Sequence, residues 1–197
     1  MKQGTPLPRE FYDRPVLQVA RDLLGMRLVR KLGRQRVAGI ILETEGYDGE
    51  SDLACHAHVG RTKRNEMMFG APGHAYVYFT YGMHWLLNCV TGREGYAAAV
   101  LIRAIQPVEG IEVIASNRLP AKEKDWCNGP AKLASALQID KALNGADLCS
   151  PHSPLLIEYS PAIPDQNVHT LPRVGINSVP EPWRSKPWRF LAEMPEE

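Results

Sequence analysis

The stretch Ala75-Tyr-Val-Tyr-Phe-Thr-Tyr-Gly-Met-His-Trp-Leu-Leu-Asn-Cys-Val90 decides the fold expected of this 197-residue chain. It contains two apolar runs, rich in aromatic and β-branched residues, on either side of Tyr81-Gly82. Such residues favour strands, and glycine supplies the left-handed backbone conformation that many tight turns require. We therefore predict two antiparallel strands, over residues 75–80 and 83–90, joined by a turn.

Neighbouring segments extend this pair into a larger sheet. The apolar run 97–105 predicts another strand, and the runs 26–32 and 37–44 predict a second hairpin that turns at Gly33. The proline-rich C-terminal part predicts three short strands, at 154–158, 173–176 and 188–192.

Three segments have the apolar spacing and end signals of helices. The first follows Pro15, which suits the first helical position, and stops at Gly25. The other two are expected at 109–118 and 129–137, and the last has a proline just after its start. Residues 45–73 lose regular patterning, and a stretch of that length inside a compact domain is usually functional or disordered.

Composition agrees with one α+β domain over residues 1–197, with flexible ends at 1–8 and 193–197. Hydrophobic residues make up 44% of the chain, which is enough for one sizeable core. No apolar run is long enough for a membrane span and no signal peptide is present, so we expect a cytoplasmic protein. The cysteines form no paired motif and are expected to be free, buried thiols: Cys55, Cys89, Cys127 and Cys149.

The charge distribution bears on nucleic-acid binding. A net charge of +1 argues weakly against it, because nucleic-acid-binding domains are often strongly basic. The cations are clustered, however, and clusters that fold together supply the local positive potential that phosphates need. The alternative is that they form solvated faces. The three clusters are Arg27, Arg30, Lys31, Arg34 and Arg36; Arg61, Lys63 and Arg64; and Arg184, Lys186 and Arg189 beside Trp183 and Trp188.

Several polar residues occupy positions that suggest chemistry. Glu43 and Glu45 share one face of a strand end, where a carboxylate is well placed for general-base work, although a solvated strand end is the simpler interpretation. Arg103 interrupts an apolar strand and must be paired, either in a structural ion pair or in an active site. Asn88 is a second candidate for a buried polar group.

Two further motifs each have two interpretations. Tyr81 and Met83 form an apolar turn tip, which suits a wedge between stacked bases but is also compatible with packing against a neighbouring loop. Cys55, His56 and His58 could ligate zinc, but no paired motif supplies further ligands, so a pocket histidine is favoured.

Together these segments resemble the alkyladenine (3-methyladenine) DNA glycosylase family, in its compact bacterial form. The resemblance runs from about Arg9 to Leu191 and implies a single mixed α/β domain, in which helices surround a curved antiparallel sheet and a hairpin protrudes into the DNA minor groove. It is carried by Glu43-Thr44-Glu45-Gly46-Tyr47, His56, Arg64-Asn65, Met68-Phe69, Pro72-Gly73, Tyr76-Val77-Tyr78, Tyr81-Gly82-Met83, Asn88, Leu101-Ile102-Arg103-Ala104, Gly129-Pro130-Ala131-Lys132-Leu133 and Arg173-Val174-Gly175-Ile176.

The resemblance also implies residue roles. Glu45 is the general base that activates a water, held by Arg103 and by the backbone carbonyl of Val174. The flipped base is bound by Tyr47, His56, Tyr78 and Asn88, of which Asn88 clashes with the 2-amino group of guanine. Tyr81 fills the gap that the flipped base leaves in the stack, with Gly82 and Met83 beside it. Arg64 and Lys132 contact the DNA backbone.

The activity implied is monofunctional excision of alkylated or deaminated purines during base excision repair, leaving an abasic site without strand cleavage. We expect a nucleoid-associated monomer that binds damaged double-stranded DNA and no membrane, and that needs no cofactor and no metal. Three rivals remain: a non-catalytic binder of damaged bases, a hydrolase of free nucleosides or RNA, and a zinc-binding interaction domain.

Overall fold

The computed structural model describes residues 3–193, and within them eight strands form one sheet. Every strand pair is antiparallel. The main path runs β3-β4-β5-β2-β1-β6, and β8 joins it by pairing with β2 and with β7. The predicted α+β domain with an antiparallel sheet is therefore confirmed. The strands are β1 Arg27–Leu32, β2 Gln35–Asp48, β3 Ala75–Thr80, β4 His84–Thr91, β5 Ala98–Glu109, β6 Leu155–Glu158, β7 Val168–Leu171 and β8 Arg189–Ala192.

Strand β2 is the centre of the sheet. It pairs with β5 along one edge, while β1 and then β8 share its other edge. Its register with β5 shifts on both sides of Glu43, and such bulges bend a strand and re-aim its side chains. The strand segment that carries Glu45 is thus held from both sides.

Four α-helices in the described part of the chain cover the sheet: α1 Arg9–Tyr12, α2 Val16–Asp22, α3 Ile111–Arg118 and α4 Pro130–Ala136. Helix α2 starts one residue later than predicted, because Pro15 is its N-cap and Val16 its first residue; it buries Val16, Val19 and Ala20 and packs against β2. The helix ends at Asp22, and Gly25, in the turn that follows, takes a φ of +87°, a conformation that favours glycine. Helix α4 begins with the predicted Pro130 and packs against β4 and β5.

The hairpin of β3 and β4 is confirmed as a secondary-structure element, with one change at its tip. Strand β4 begins at His84 instead of residue 83, because Thr80 and His84 are the last paired residues. Tyr81 and Gly82 both have positive φ values, +51° and +69°. A tyrosine in this left-handed region is uncommon and costs conformational energy.

Three other predictions were wrong in detail. Residues 45–48 continue β2 because β5 pairs with all four, so the irregular stretch begins only after Asp48. Strand β5 likewise extends to Glu109, which pairs with Ala38, so that α3 starts at Ile111. The strand expected at 173–176 is absent from the described structure, because Gly175 has a φ of +87°, and β7 pairs with β8 instead.

The N-terminal segment is more ordered than its composition suggested. Leu7 is fully buried and its amide donates to the carbonyl oxygen of Ile157, 2.8 Å away, while Gly4 bonds Tyr159. The packed part of the chain therefore begins before residue 8. The flexible ends expected at residues 1, 2 and 194–197 lie outside the described residues.

The cysteines are free thiols as predicted, although one of them is not fully buried. All four cysteines are free, three are buried and Cys149 is partly exposed. No helix between residues 3 and 193 is long and apolar enough to cross a bilayer.

Candidate active site

A cavity of about 360 Å³ opens beside the β3–β4 hairpin. Side chains from β2, β3, β4 and β5 form its walls together with the turn at residue 56 and the segment 174–176. Seven of the residues singled out in the sequence line it: Tyr47, His56, Tyr78, Tyr81, Asn88, Arg103 and Val174. The fold thus brings together residues spread over nearly 130 positions of the chain.

Glu45 lies behind one wall of this cavity. Its side chain is fully buried, and its carboxylate has three donors around it. The Val174 amide donates to Oε1 at 2.6 Å, the Tyr47 hydroxyl donates to Oε2 at 2.8 Å, and Arg103 Nη1 lies 3.3 Å from Oε1. Since both hydrogen bonds are donated to the carboxylate and the third partner is a cation, the arrangement fits the ionised carboxylate, which only accepts hydrogen bonds.

The position of Glu45 differs from the prediction. We expected it at an open strand end, but the extension of β2 places it inside the sheet with no exposed surface. Its partners Tyr47, Arg103 and Val174 line the cavity, whereas Glu45 does not. A carboxylate offers about four acceptor positions, of which the hydrogen bonds from Val174 and Tyr47 use two.

Burial controls the acidity of this group. Desolvation raises the pKa of Glu45 above its usual value of 4.5, against the opposing effects of Arg103, the Val174 amide and the Tyr47 hydroxyl. Burial and the adjacent Glu45 charge also raise the pKa of Tyr47 well above 10, so its hydroxyl keeps the proton that it donates. Strongly perturbed groups beside a cavity are typical of active sites.

The sequence predicted that Arg103 must be paired, and this is confirmed. Its Nε donates to Glu43 Oε1 at 2.8 Å while its Nη1 approaches Glu45, so one guanidinium bridges two carboxylates. Arg189 supplies a second cation to Glu43 at 2.9 Å. Although burial alone would lower the pKa of Arg103, Glu45 and Glu43 raise it, and the guanidinium remains charged.

The aromatic wall of the cavity consists of His56, Tyr76 and Tyr78. The two tyrosine rings are stacked with centroids 5.3 Å apart, and His56 meets Tyr78 edge-on at 4.5 Å. Burial, with a smaller effect of Arg64, lowers the pKa of His56 to about 4, so its imidazole is neutral at neutral pH. No role was predicted for Tyr76 from the sequence, although its spacing from Tyr78 places both side chains on one face of the strand.

His56 and Asn88 are both held in place by Tyr76. The Tyr76 hydroxyl lies 2.9 Å from His56 Nδ1, and the Asn88 amide donates to the Tyr76 carbonyl at 3.1 Å. Asn88 is buried and lies directly opposite Tyr76 in the β3–β4 pair. Polar groups on the cavity wall therefore have fixed orientations before any ligand binds.

The hairpin tip rises from the rim of the cavity. Tyr81 lines the cavity and is nevertheless 79% exposed, and Met83 is 69% exposed. Tyr81 and Met83 are therefore the exposed apolar side chains that stand next to the cavity.

Arg64 and Lys132, the two residues predicted to contact the DNA backbone, lie near this rim, and both already have partners within the protein. Arg64 donates to the Phe79 carbonyl at 3.2 Å and lies over the Tyr78 ring. Lys132 lines a groove that also contains Met83, and its Nζ lies 2.7 Å from Asn128 Oδ1 and 3.1 Å from an Asp125 oxygen.

Many cations of the three basic clusters are neutralised within the protein. The paired residues are Arg36 with Glu109 and Glu158, Arg61 with Glu66, Arg184 with Glu181, and Arg189 with Glu43. Lys186 packs between the rings of Trp183 and Trp188. Lys132 is likewise paired with Asp125, whereas Arg64 donates to a backbone carbonyl, so the positive potential near the cavity rim depends on Arg64 more than on cluster size.

The zinc alternative gains no support from the described residues, among which no group of three or more His, Cys, Asp or Glu side chains could hold a metal. His56 Nδ1 contacts Tyr76, and His58 Nδ1 lies 3.2 Å from the Glu50 carbonyl. Burial raises the pKa of the Cys55 thiol to about 12, which disfavours the thiolate that zinc would require.

A fully buried ion pair behind the site, between Asp52 and Arg173, was not predicted from the sequence. Arg173 Nη2 donates to Asp52 Oδ1 at 2.9 Å, and Nη1 donates to the other Asp52 oxygen and to the Gly46 carbonyl. Asp52 lay in the stretch without regular patterning, and Arg173 was assigned to a strand, so neither residue had a local signal. Their proximity to Glu45 and Val174 in the chain was the one available hint.

Comparison with known proteins shows which family this chain belongs to. The family model described as methylpurine-DNA glycosylase (MPG) matches residues 10–195. A Methanocella arvoryzae protein named "Putative 3-methyladenine DNA glycosylase" is 53% identical over 93% of this chain and 90% of its own length. Proteins of the same name from Streptomyces avermitilis and Carboxydothermus hydrogenoformans are 48% and 49% identical over 94% and 93% of this chain, and 87% and 93% of their own lengths. The chain belongs to the methylpurine-DNA glycosylase family of DNA repair enzymes.

Proposed function

We propose that this protein is a monofunctional DNA glycosylase that flips alkylated or deaminated purines out of duplex DNA and hydrolyses the bond between base and sugar. One observation carries the proposal. The aromatic cavity lies next to the exposed Tyr81, and the buried Glu45 carboxylate, which accepts two hydrogen bonds, lies behind the cavity wall. A nucleoside hydrolase or a damaged-base binder would not need both the wedge and the carboxylate. We propose that it acts on chromosomal DNA in the cytoplasm, and that it does so as a monomer.

The cavity walls suit an electron-poor purine. A purine alkylated at N3 or N7 carries positive charge, and such a base stacks favourably on the electron-rich faces of Tyr47 and Tyr78. The neutral His56 adds no repulsion, and the Arg103 charge is balanced by Glu43 and Glu45. We propose that Asn88, fixed by its bond to Tyr76, disfavours undamaged guanine through its 2-amino group, whereas the positive charge of 7-methylguanine weakens its glycosidic bond enough to offset this penalty.

Hydrolysis would follow directly from this arrangement. As the bond from C1′ to the base nitrogen breaks, its electron pair leaves with the base, and the sugar acquires oxocarbenium character. The Glu45 charge stabilises this cation, and Glu45 removes a proton from the water whose oxygen bonds to C1′. An alkylated base departs as a neutral molecule without needing an acid. Arg103 and the Val174 carbonyl would hold the water.

The absence of strand cleavage is also proposed. Lyase activity requires an amine that forms a Schiff base with the sugar, and lysine is the usual source. No lysine is among the residues that line the cavity in the described structure. The product would therefore be an abasic site in an intact strand.

The experiment that tests this function is single-turnover incubation with a duplex oligonucleotide that carries one 7-methylguanine, ethenoadenine or hypoxanthine. We expect strand breaks only after alkali treatment and only in the damaged strand. Breaks without alkali would indicate a lyase, and the undamaged duplex serves as the control. Release of the base from free nucleosides at a comparable rate would favour the nucleoside hydrolase instead.

Replacing Tyr81 by alanine should weaken base flipping. Stacking of a base on an aromatic ring contributes about 1–3 kcal/mol, so the extruded population should fall about 5- to 150-fold. The measurement is the fluorescence change of ethenoadenine on extrusion, followed by stopped flow. Tyr81→Phe should retain most of the signal because the ring remains.

A matched control removes an almost equally exposed apolar side chain that does not line the cavity. Leu119 is 75% exposed and lies after α3, so Leu119→Ala should extrude the base like the wild type. Equal extrusion by Tyr81→Ala and the wild type would assign the hairpin tip a different role.

A further inference from the structure

The buried pair of Asp52 and Arg173 connects three segments that carry the proposed site. Arg173 bonds the carbonyl of Gly46, which lies between Glu45 and Tyr47 on β2. The Asp52 carboxylate also accepts hydrogen bonds from the amides of Asp48 and Ala54, at 3.2 and 3.1 Å. It thereby shapes the turn that leads from β2 to the pocket histidine.

The third segment is the one that contains Arg173 itself. The next residue, Val174, places its amide on Glu45 at 2.6 Å and lines the cavity. Because residue 173 is anchored to β2 and to Asp52, the position of the Val174 amide depends on that anchor. Gly175 follows in a left-handed conformation, so no strand pairing holds this segment in its place.

Arg173 also fixes an aromatic ring of the cavity wall. Its guanidinium lies between the ring of Tyr47, 4.8 Å from the centroid, and that of Trp188, 4.9 Å away. Tyr47 in turn donates its hydroxyl to Glu45. One guanidinium therefore constrains both hydrogen-bond donors, Val174 and Tyr47, that converge with Arg103 on the carboxylate.

The energetics of such a pair favour a geometric role. Both side chains are fully buried, and burying two charges costs about as much as their attraction returns, so apolar replacements are often equally stable. The bidentate fork of arginine instead gives directional control. We infer that Asp52 and Arg173 are positioning residues, which hold the Val174 amide on Glu45 and the Tyr47 ring in the cavity wall.

This inference rests on the proposed function for its effect on catalysis, and it predicts a change in the pH profile. The groups facing Glu45 are Arg103 on β5, Glu43 and Tyr47 on β2, Tyr78 on β3 and the Val174 amide. The amide favours the charged carboxylate, so loosening it raises the Glu45 pKa further. Excision requires ionised Glu45, and its acid limb should therefore move to higher pH.

The test compares Arg173→Lys with the wild type on a duplex carrying 7-methylguanine. This base leaves without protonation, so the acid limb reports Glu45. Lysine keeps the positive charge beside Asp52 but loses the two-pronged bond and the stacking on Tyr47. We expect the acid limb to move up by roughly one pH unit, the effect of weakening one hydrogen bond to a charge. The rate should largely recover at high pH.

The control makes the same chemical change in another bidentate pair. Arg36 donates to both oxygens of the buried Glu158, at 3.0 Å each, at the far side of the sheet. Arg36→Lys should lower the unfolding temperature without moving the acid limb. A uniform loss of rate at every pH in Arg173→Lys would reduce its role to stability and overturn the inference.

A second readout does not depend on excision. The Val174 amide resonance should titrate with Glu45 in the wild type and should lose this titration in Glu45→Gln. In Arg173→Lys its midpoint should move to higher pH; Asp52→Asn should do the same if the lysine variant does not fold. An unmoved midpoint would overturn the inference even if excision is normal, whereas a shifted midpoint without any excision would overturn only the proposed function.

Discussion

Replacing Glu45 by glutamine is expected to slow single-turnover excision about 10²- to 10⁴-fold, the usual contribution of a positioned general base. Glutamine has nearly the same volume but cannot take a proton from water and carries no charge to stabilise the sugar cation. The amide oxygen can still accept a bond from Val174 or Tyr47. Because Glu45 itself does not line the cavity, binding of damaged duplex should change little.

The measurement pairs single-turnover rates with binding of an ethenoadenine duplex under the same salt conditions. Glu158→Gln is the matched control, because Glu158 is 4% exposed, bonded to an arginine, and located on β6 at the opposite end of the sheet from the hairpin. It should excise at the wild-type rate. A Glu45→Gln variant that turns over normally would remove Glu45 from the reaction, and one that no longer binds would show that it supports the cavity.

The features that could be predicted from sequence have local causes. The hairpin at 75–90 follows from two apolar runs and a glycine, the start of α2 follows from Pro15, and the turn after α2 follows from Gly25. The need to pair Arg103 follows from a charge inside an apolar strand, whichever carboxylates meet it. Each of these depends on residues close together in the chain.

What could not be predicted depends on residues far apart. Asp52 and Arg173 are 121 positions apart, and nothing near either one indicates a buried partner. The burial of Glu45 required knowing that β5 and β8 both pair with β2 at that point. A resemblance to a family supplied the expected roles of individual residues, but neither that resemblance nor the local pattern indicated how the carboxylate is enclosed.

The enclosure of Glu45 has a consequence for stability that local patterns also hide. Three donors surround a carboxylate that contributes no surface to solvent, so each donor reduces the cost of keeping it charged. Of these, Arg103 opposes the effect of burial most strongly. Removing it should therefore have the largest effect on folding, and this effect should depend on pH.

Replacing Arg103 by methionine is expected to destabilise the protein by about 3–5 kcal/mol at pH 8, the usual cost of removing one partner from a buried ion pair. The folded-state pKa of Glu45 already lies above its unfolded value of 4.5, and loss of the guanidinium raises it further. The folded state then binds the proton more tightly than the unfolded state. The deficit relative to the wild type should therefore be small below the wild-type folded pKa of Glu45, should grow between that pKa and the higher folded pKa of the variant, and should be constant above the latter.

Urea unfolding at pH 4.5 and pH 8 measures this difference. The double variant Glu45→Gln with Arg103→Met is the control, because a neutral side chain at position 45 no longer needs the guanidinium. Its deficit should be smaller than that of Arg103→Met alone at pH 8 and nearly independent of pH, while Glu43 keeps its bond to Arg189. An equal deficit at both pH values in the single variant would mean that Arg103 supports the fold by packing. The charge of Glu45 would then be maintained by Val174 and Tyr47 alone.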